Sequence, residues 1–490
     1  MRLGSLDDPP IRGLRFHGVA WAEITREVDE GPEGPHIGAF FDLDRTLVAG
    51  FSVFTFLLDG LLSGRIGPAG LGQFARAALA FQLGQAGFSA FVSETLTLLG
   101  GAAEADFEAL ADRVFAERLA ADVFPEARAL VRAHQRKGHT LAIVSSATRY
   151  QAEPLARDLG IPHVLCTRLE VENGRFTGKL VKPTCYGEGK LTAARTLTNG
   201  YGVDLAESWF YTDSDEDLPL LEAVGRPRPV NPNARLTAIA TRRGWPARTF
   251  YTRGTPAVMD VVRTSLAIGS FFSSVLLGLP VMALDGDTRR WANVAATTWG
   301  ELGTALAGID VQVTGEEHLW SSRPAVFIFN HQSAVDVLLL CKLLRRDFVA
   351  ISKQEVRQNP FFGPLFALAG TVFIDRFNRA RAVEALRPAI DALRSGLSIA
   401  IAPEGTRMPT PRLGRFKKGA FHIAMAAGVP IVPLVFRNAL DALPKHGIIL
   451  RSTQVEVVVH PPISTVGWHH DDLDRHVAEV EQLYLDTLGS

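Results

Sequence analysis

Two aspartates separated by one residue, Asp42 and Asp44, open the run Asp42-Leu-Asp-Arg-Thr46, directly after the apolar stretch Ile37-Gly-Ala-Phe-Phe41. The stretch predicts a buried strand, and ligands of open α/β sheets collect beyond the carboxyl ends of the strands. Where the chain turns at such an end, both carboxylates reach one site. A second acidic cluster, Asp213-Ser-Asp-Glu-Asp217, follows a predicted strand at 209–212. Carboxylates from two strand ends suit a hard divalent cation, and Mg2+ with a phosphate ligand is the usual occupant. Ser145, just past the predicted strand 140–144, offers a hydroxyl to a phosphate oxygen, and Lys190, beside Gly189, offers a positive charge. A lone DxDxT arises by chance and an acidic run is most often a solvated loop. The order of all these groups along the chain is what points to phosphoryl chemistry.

The second half carries a different set. Asn330-His331-Gln-Ser-Ala-Val-Asp336 follows a predicted strand at 325–329, and a helix starting after His331 brings Asp336 back toward the imidazole. A histidine held by a carboxylate can deprotonate a hydroxyl, because the carboxylate fixes the tautomer and stabilises the imidazolium. No nucleophile motif such as G-x-S-x-G is evident, so direct attack by a substrate alcohol is preferred over an acyl-enzyme. Taken alone, a His–Asp pair is more often a structural hydrogen bond. Further along, Gly370-Thr-Val-Phe-Ile-Asp375-Arg376 and Pro403-Glu404-Gly405-Thr406-Arg407 each place a charged pair at a strand end. Arg412, Arg415, Lys417 and Lys418 follow, giving five basic residues from Arg407 to Lys418. Guanidinium groups grip phosphate bidentately, which implies a phosphorylated acceptor. Arg412 and Arg415 fit a solvated face, whereas Arg376 and Arg407 lie in apolar surroundings, where an unpaired charge is costly.

The elements that must position these groups form two α/β units. At 490 residues the chain exceeds a single core, and 47% hydrophobic with 21% charged residues is ordinary globular composition. Segment 1–36, mixed in charge and rich in Pro and Gly, predicts a tail with little structure and no cleavable leader. Residues 37–250 alternate strand and helix, interrupted by an Ala/Leu/Phe-rich helical segment at 51–122; strands and helices in alternation imply a parallel sheet. The same alternation returns from 310 to 490, with strands expected at 325–329, 348–351, 397–401 and 431–436. A net charge of −1 predicts no affinity for nucleic acid. Three scattered cysteines, Cys166, Cys185 and Cys341, suit a reducing cytoplasm.

Between the units, 251–309, lies a stretch that bears on membranes. Residues 264–284 carry no charge, and about 20 apolar residues suffice to cross a bilayer. A weaker apolar stretch, 291–306, contains Glu301. One crossing would put the two cytoplasmic-looking halves on opposite sides, so a helical hairpin lying in one leaflet at the cytoplasmic face fits better. Seven arginines between Arg226 and Met259, with no acidic residue, would then meet anionic headgroups. The alternative is a buried linker with a solvated basic face, and the apolar segment would serve a dimer interface as readily as a membrane.

On its ordered motifs, the stretch from Ile37 to Trp245 resembles the haloacid dehalogenase superfamily of phosphohydrolases, in the branch that contains phosphoserine phosphatase. The resemblance implies a Rossmann-like domain with a helical cap at about 51–122. It implies Asp42 as nucleophile, Asp44 as general acid and base, and Ser145 and Lys190 binding the phosphoryl group. Mg2+ would be held by Asp42, Asp44 and Asp213, with Asp217 in support. One departure stands out. Members acting on phosphoserine carry an acidic residue soon after the first motif, whereas this chain has the apolar run Leu47-Val-Ala-Gly-Phe-Ser-Val-Phe54. A greasier phosphomonoester than phosphoserine is expected. A phosphoserine phosphatase, or a non-catalytic module that binds a phosphorylated ligand in a regulatory or scaffolding role, remains as the alternative.

The stretch from Val313 to Pro462 is similar to the glycerolipid acyltransferases, through Asn330-His331 to Asp336, Gly370 to Arg376, Pro403 to Arg407, and Val429-Pro-Ile-Val-Pro433. That resemblance implies His331 as general base with Asp336 as its partner. Arg376, Glu404, Gly405, Thr406, Arg407 and Lys418 would bind a lysophosphatidate-like acceptor, and an acyl-CoA or acyl carrier protein thioester would be the donor. The whole chain resembles a bacterial fusion of the two families.

Overall fold

The computed structural model describes residues 21–64, 72–73, 76, 100–360, 363–374 and 386–489. Two sheets dominate. The first has the order β4-β3-β2-β1-β5-β6, built from β1 (Ile37–Phe41), β2 (Thr140–Thr148), β3 (His163–Glu172), β4 (Arg175–Val181), β5 (Asp204–Thr212) and β6 (Arg226–Pro229). All neighbours run parallel except the hairpin β3–β4. Central β1 is buried at all five residues, as a strand covered on both faces must be. Phe41, Trp209 and Tyr211 pack on one side of the sheet with Leu130 and Leu155, while Phe40 and Phe210 pack on the other with Leu191 and Leu220.

The second sheet has the order β10-β9-β11-β8-β12-β13-β7. Its strands are β7 (Ile309–Thr314), β8 (Val326–Phe329), β9 (Phe348–Lys353), β10 (Val372–Ile374), β11 (Ser398–Ile401), β12 (Ile431–Phe436) and β13 (Thr453–Val459). Only β12–β13 is antiparallel. Phe327, Leu339 and Phe436 fill one face, and Ile328, Phe421 and Tyr484 the other.

Between the sheets, helices Val258–Asp285 and Thr288–Ala307 form an antiparallel pair. Gly278 lets the pair close, since a Cβ there would sit 2.7 Å from the Trp291 ring, whose Nε1 donates to Val275 O at 3.1 Å. Glu301, the charge inside the apolar stretch, is paired with Lys342 at 2.6 Å and Arg345 at 2.9 Å. The second helix thereby seats on helix Val335–Leu344 of the second sheet's layer.

Three expectations need correction. Part of the supposed tail is a helix, Trp21–Asp29, which buries Ile24 and Val28 and pairs Glu27 with Arg228. Of the seven arginines between 226 and 253, Arg226, Arg228, Arg248 and Arg253 are turned to partners within the protein, whereas Arg235, Arg242 and Arg243 remain exposed. Arg226 lies 4.2 Å over the Trp209 ring, Arg235 meets Asp215 at 3.2 Å, and Arg243 meets Glu222. Arg248 donates to Ile24 O, and Arg253 is buried between the halves, donating to Leu440 O at 2.9 Å. Four of these strands, β4, β6, β7 and β13, were not anticipated. β6 is the arginine-rich Arg226–Pro229 itself, and lateral pairing with β5 outweighs its poor strand composition. Of the expected helical cap, helices Ser52–Leu62 and Glu104–Glu117 are described; much of the remainder lies outside the described residues.

Candidate active sites

Register assembles the first site. Phe41 is level with Ile143 of β2 and Tyr211 of β5, so the residues just beyond β1 emerge between Ser145 and Asp213. Asp42, Ser145, Lys190, Asp213 and Asp217 are all buried. Lys190 Nζ lies 3.1 Å from Asp42 Oδ1 and 2.7 Å from Asp217 Oδ2, bridging the two carboxylates. The lysine is aimed by Gly189, where a Cβ would fall 1.9 Å from Thr184 O. Asp217 Oδ2 also accepts from Thr212 Oγ1 at 2.5 Å, so Asp217 is engaged in holding Lys190. Asp42 Oδ1 further accepts Leu43 N at 2.8 Å, which leaves Oδ2 outside both contacts.

Asp44 Oδ1 accepts the Ser52 N–H at 2.7 Å, at the first turn of helix Ser52–Leu62. Burial, reinforced by the nearby Asp42 charge, pushes the Asp44 carboxyl up to about 7. A carboxyl poised near neutrality can both give and take a proton. Arg45 sits at φ 59°, a strained turn held by Asn231, whose Nδ2 donates to Arg45 O at 2.7 Å. That turn sends the Arg45 guanidinium to Asp213 at 3.3 Å.

These residues fit a small dication. Burial and repulsion from Asp42 raise the Asp213 carboxyl to about 8 against the opposing pull of Arg45 and Lys190, and a cation between the two carboxylates would relieve that repulsion. Among the described residues no three His, Cys, Asp or Glu side chains form a ready-made metal cage. Mg2+ asks for none, since it binds through one or two carboxylates, retained waters and substrate phosphate.

Register also builds the second site. Ile328 is level with Ile401, which places His331 beside Glu404, each three residues past its member of that pair. His331 Nδ1 lies 2.7 Å from Asp336 Oδ2, which leaves Nε2 as the nitrogen that faces outward. Asp336 is fully buried, and the same oxygen accepts from Gln332 N at 2.8 Å and Ser333 N at 3.0 Å. Asn330 clamps β8 to β12, exchanging two 2.8 Å hydrogen bonds with the Phe436 backbone.

Glu404 is buried. Its Oε2 accepts His331 N at 2.6 Å and its Oε1 accepts Gly414 N at 2.8 Å. Burial raises its carboxyl to about 7. Gly405 takes φ +75° beneath Lys417, and Thr406 is exposed beside half-buried Arg407, which makes no ion pair among the described residues. Lys418, expected at the acceptor, is instead paired with Asp474 at 2.7 Å on the exposed surface. Arg376 lies outside the described residues.

An apolar cleft opens between the helix pair and the second sheet, lined by Phe271, Trp299, Val337, Cys341 and Phe366 among others. Val337 and Cys341 belong to the helix whose first turn carries Asp336. The residues that sequence reasoning missed are those that hold others in place: Ser52, Gln151, Asn231 and Thr212. Only Gln151 had a local signal, the capping box it forms with Thr148 at the start of helix Arg149–Leu159.

Comparison with known proteins agrees with this division. A family model of haloacid dehalogenase-like hydrolases matches residues 39–222, and one of acyltransferases matches residues 310–437. A 1-acyl-sn-glycerol-3-phosphate acyltransferase from Cocos nucifera is 34% identical over 41% of this chain; the chain thus covers 64%, under two thirds, of that protein's length. Its counterpart from Limnanthes alba is 32% identical over 46% of this chain and 79% of its own length. A protein from Mycobacterium tuberculosis named probable phosphatase is 34% identical over 43% of this chain and 75% of its own length.

Proposed function

The chain belongs to the haloacid dehalogenase-like hydrolases through its first half and to the acyltransferases through its second, and from that premise we propose that it carries two activities serving phospholipid synthesis. The second half moves a fatty acyl group from an acyl thioester to the free hydroxyl of a lysophosphatidate-like acceptor. The observation that carries this reading is the 2.7 Å contact between His331 Nδ1 and Asp336. It leaves Nε2 to take the acceptor's hydroxyl proton as the oxygen attacks the thioester carbonyl. A C–O bond forms and the C–S bond breaks. The proton on His331 passes to the departing thiolate, and Asp336 stabilises the imidazolium in between. Arg407, joined by Arg376, holds the acceptor's phosphate, and the apolar cleft beside Val337 and Cys341 suits the acyl chain. Glu404 serves by fixing the backbone of His331.

The first half is a phosphomonoesterase. Asp42 attacks phosphorus and the P–O bond to the alcohol breaks, with the Asp44 proton going to the leaving oxygen. Water then attacks the aspartyl-phosphate, Asp44 takes its proton, and inorganic phosphate leaves. Ser145 and Lys190 hold the phosphoryl oxygens. Mg2+ held by Asp42 and Asp213, beside Asp44, would neutralise charge on the phosphate, with Asp217 supporting through Lys190.

Helix Val258–Asp285, with Val258, Leu266, Leu276 and Leu284 exposed, is about 42 Å long at 1.5 Å per residue. With its partner helix it lies in one leaflet at the cytoplasmic face, so both lipid substrates reach the second site from the bilayer.

The test is acyl transfer from radiolabelled acyl-CoA, or from an acyl carrier protein thioester, to a panel of lysophospholipids. Labelled diacyl product that disappears with His331→Ala supports the reading. Product that survives this change overturns it.

A further inference from the structure

A buried arginine joins the two halves at a point that neither catalytic motif includes. Arg253 ends a strap, residues 250–253, that lies outside both spans matched by the family models, and its side chain is only 7% exposed. A buried guanidinium is costly unless its N–H groups meet acceptors. Here Nη2 donates to Leu440 O at 2.9 Å, and Nη1 donates to Asp441 O at 3.1 Å and to Thr252 O at 2.9 Å. The Asp441 carboxylate lies 4.0 Å from Nη2.

Leu440 and Asp441 belong to the one-turn helix Ala439–Ala442. In so short a helix the carbonyls lack intrahelical partners. Leu443 N reaches Ala439 O at 3.4 Å, and Arg451 N takes Ala442 O at 2.8 Å. The two carbonyls between them are those held by Arg253. The place of this turn is therefore set from outside it.

The residue that follows the turn supports the histidine–carboxylate pair. Leu443 O accepts the Ser333 hydroxyl at 2.6 Å, and Ser333 N donates to Asp336 Oδ2 at 3.0 Å. The same oxygen lies 2.7 Å from His331 Nδ1. Ser333 and Asp336 are fully buried, so a shift of Leu443 is passed to the carboxylate rather than absorbed by solvent.

The strap itself is seated on the first half. Glu126, buried in the first turn of helix Pro125–Arg136, accepts Tyr251 N at 3.2 Å and Thr252 N at 3.3 Å, and also takes the Thr252 hydroxyl. Phe250 N donates to Asn231 Oδ1 at 2.7 Å, on the residue that holds the Arg45 turn. Three successive backbone N–H groups thus tie the strap to the first half, and the next residue, Arg253, reaches the second half by its side chain.

We propose that Arg253 is a positioning residue of the acyltransferase site: seated on the first half, it fixes the turn Ala439–Ala442 and, through Leu443 and Ser333, aims the Asp336 carboxylate at His331. This rests on the acyltransferase reading above and deepens it, since the second site is then completed by a residue anchored to the first half.

The experiment uses the full chain with Arg253→Lys, with Ser333→Ala, and with both. A lysine keeps the charge near Asp441 but cannot repeat the planar fork across two carbonyls. In Arg253→Lys, kcat for acyl transfer should fall on the order of tenfold, since a misplacement of about 1 Å can cost about 10²-fold. KM for lysophosphatidate and for acyl-CoA should stay at the parent's values. The double variant should be no slower than the slower single one, because both changes cut one path. An unchanged kcat, a loss carried by KM, or losses that multiply in the double variant overturn the proposal. Release of phosphate from p-nitrophenyl phosphate should persist at the parent's rate. Equal falls in both activities would make Arg253 a fastener of the whole chain and likewise overturn it. A second measurement does not depend on turnover. In protein labelled with 15N-histidine, the His331 Nδ1–H resonance, identified by its absence from His331→Ala, should move upfield in Arg253→Lys as the contact with Asp336 loosens. An unmoved resonance overturns the proposal. A parent that transfers no acyl group to any acceptor strikes the acyltransferase reading, and the resonance then decides the positioning role by itself.

Discussion

Glu404 Oε2 accepts the backbone N–H of His331 at 2.6 Å, across the carboxyl ends of two adjacent parallel strands. The residue whose neighbours point to acceptor binding therefore grips the backbone of His331, and with its other oxygen it holds Gly414 in the loop that follows Arg407. Replacing it by Gln keeps one acceptor oxygen and turns an NH2 group toward a second N–H. Leaving one buried donor unpaired costs about 1–3 kcal/mol. Glu404→Gln should lower the melting temperature and kcat together; a variant with unchanged melting and unchanged kcat would show that the clamp is dispensable.

Asp336→Asn tests the tautomer. The amide can present NH2 to Nδ1, favouring the ring form with its proton on Nε2, where a base is needed. In serine proteases the equivalent change costs about 10⁴ in kcat, and a loss of about 10³–10⁴ with little change in KM is expected here from initial rates of acyl transfer.

Arg407→Lys separates charge from geometry. A lysine keeps the positive charge but loses the planar fork that meets a phosphate bidentately. KM for the lysophospholipid should rise about tenfold or more, roughly the value of one charge-assisted hydrogen bond, while KM for the acyl thioester stays put. Equal rises in both would place Arg407 elsewhere in the site.

The Asp44 carboxyl, raised from 3.8 to about 7, sets a pH limb. As the acid of the first step it must carry its proton, and the protonated fraction falls as pH climbs through that value. The kcat/KM for phosphate release should therefore decline on the alkaline side of about pH 7 or lower, because a cation beside Asp42 and Asp213 favours ionised carboxyls and moves the midpoint down. Asp44→Asn should abolish this limb along with most of the activity on poor leaving groups.

Asp42→Asn distinguishes a catalytic first half from a ligand-binding module. Phosphate release should vanish while acyl transfer persists, because no atom of Asp42 touches the second site. A parent chain that binds a phosphomonoester without ever releasing phosphate would favour the module.

Much of the fold was legible because parallel strands covered on both faces are nearly continuous apolar runs. Ile37–Phe41 and Ile431–Phe436 are visible in the sequence at once. Other strands were not. Arg226–Pro229 has the composition of a loop and is a strand only because β5 offers it a ladder. Thr453–Val459 alternates buried and half-buried residues and pairs antiparallel to β12, which no local pattern announces. The fate of the arginines was equally hidden, since Arg228 and Arg253 find their partners at Glu27 and Leu440, far away in the chain.

The sequence by itself determined the chemistry: the order of carboxylates, histidine and guanidinium groups beyond apolar runs, because side-chain reactivity and strand burial are local properties. The tertiary structure alone decided which of those groups face substrate and which hold others in place. Asp217 and Lys418 carry charges of the expected kind, yet one is turned to Lys190 and the other to Asp474. Strand register and the packing of helices fix those directions, and both are set by contacts between residues tens to hundreds of positions apart.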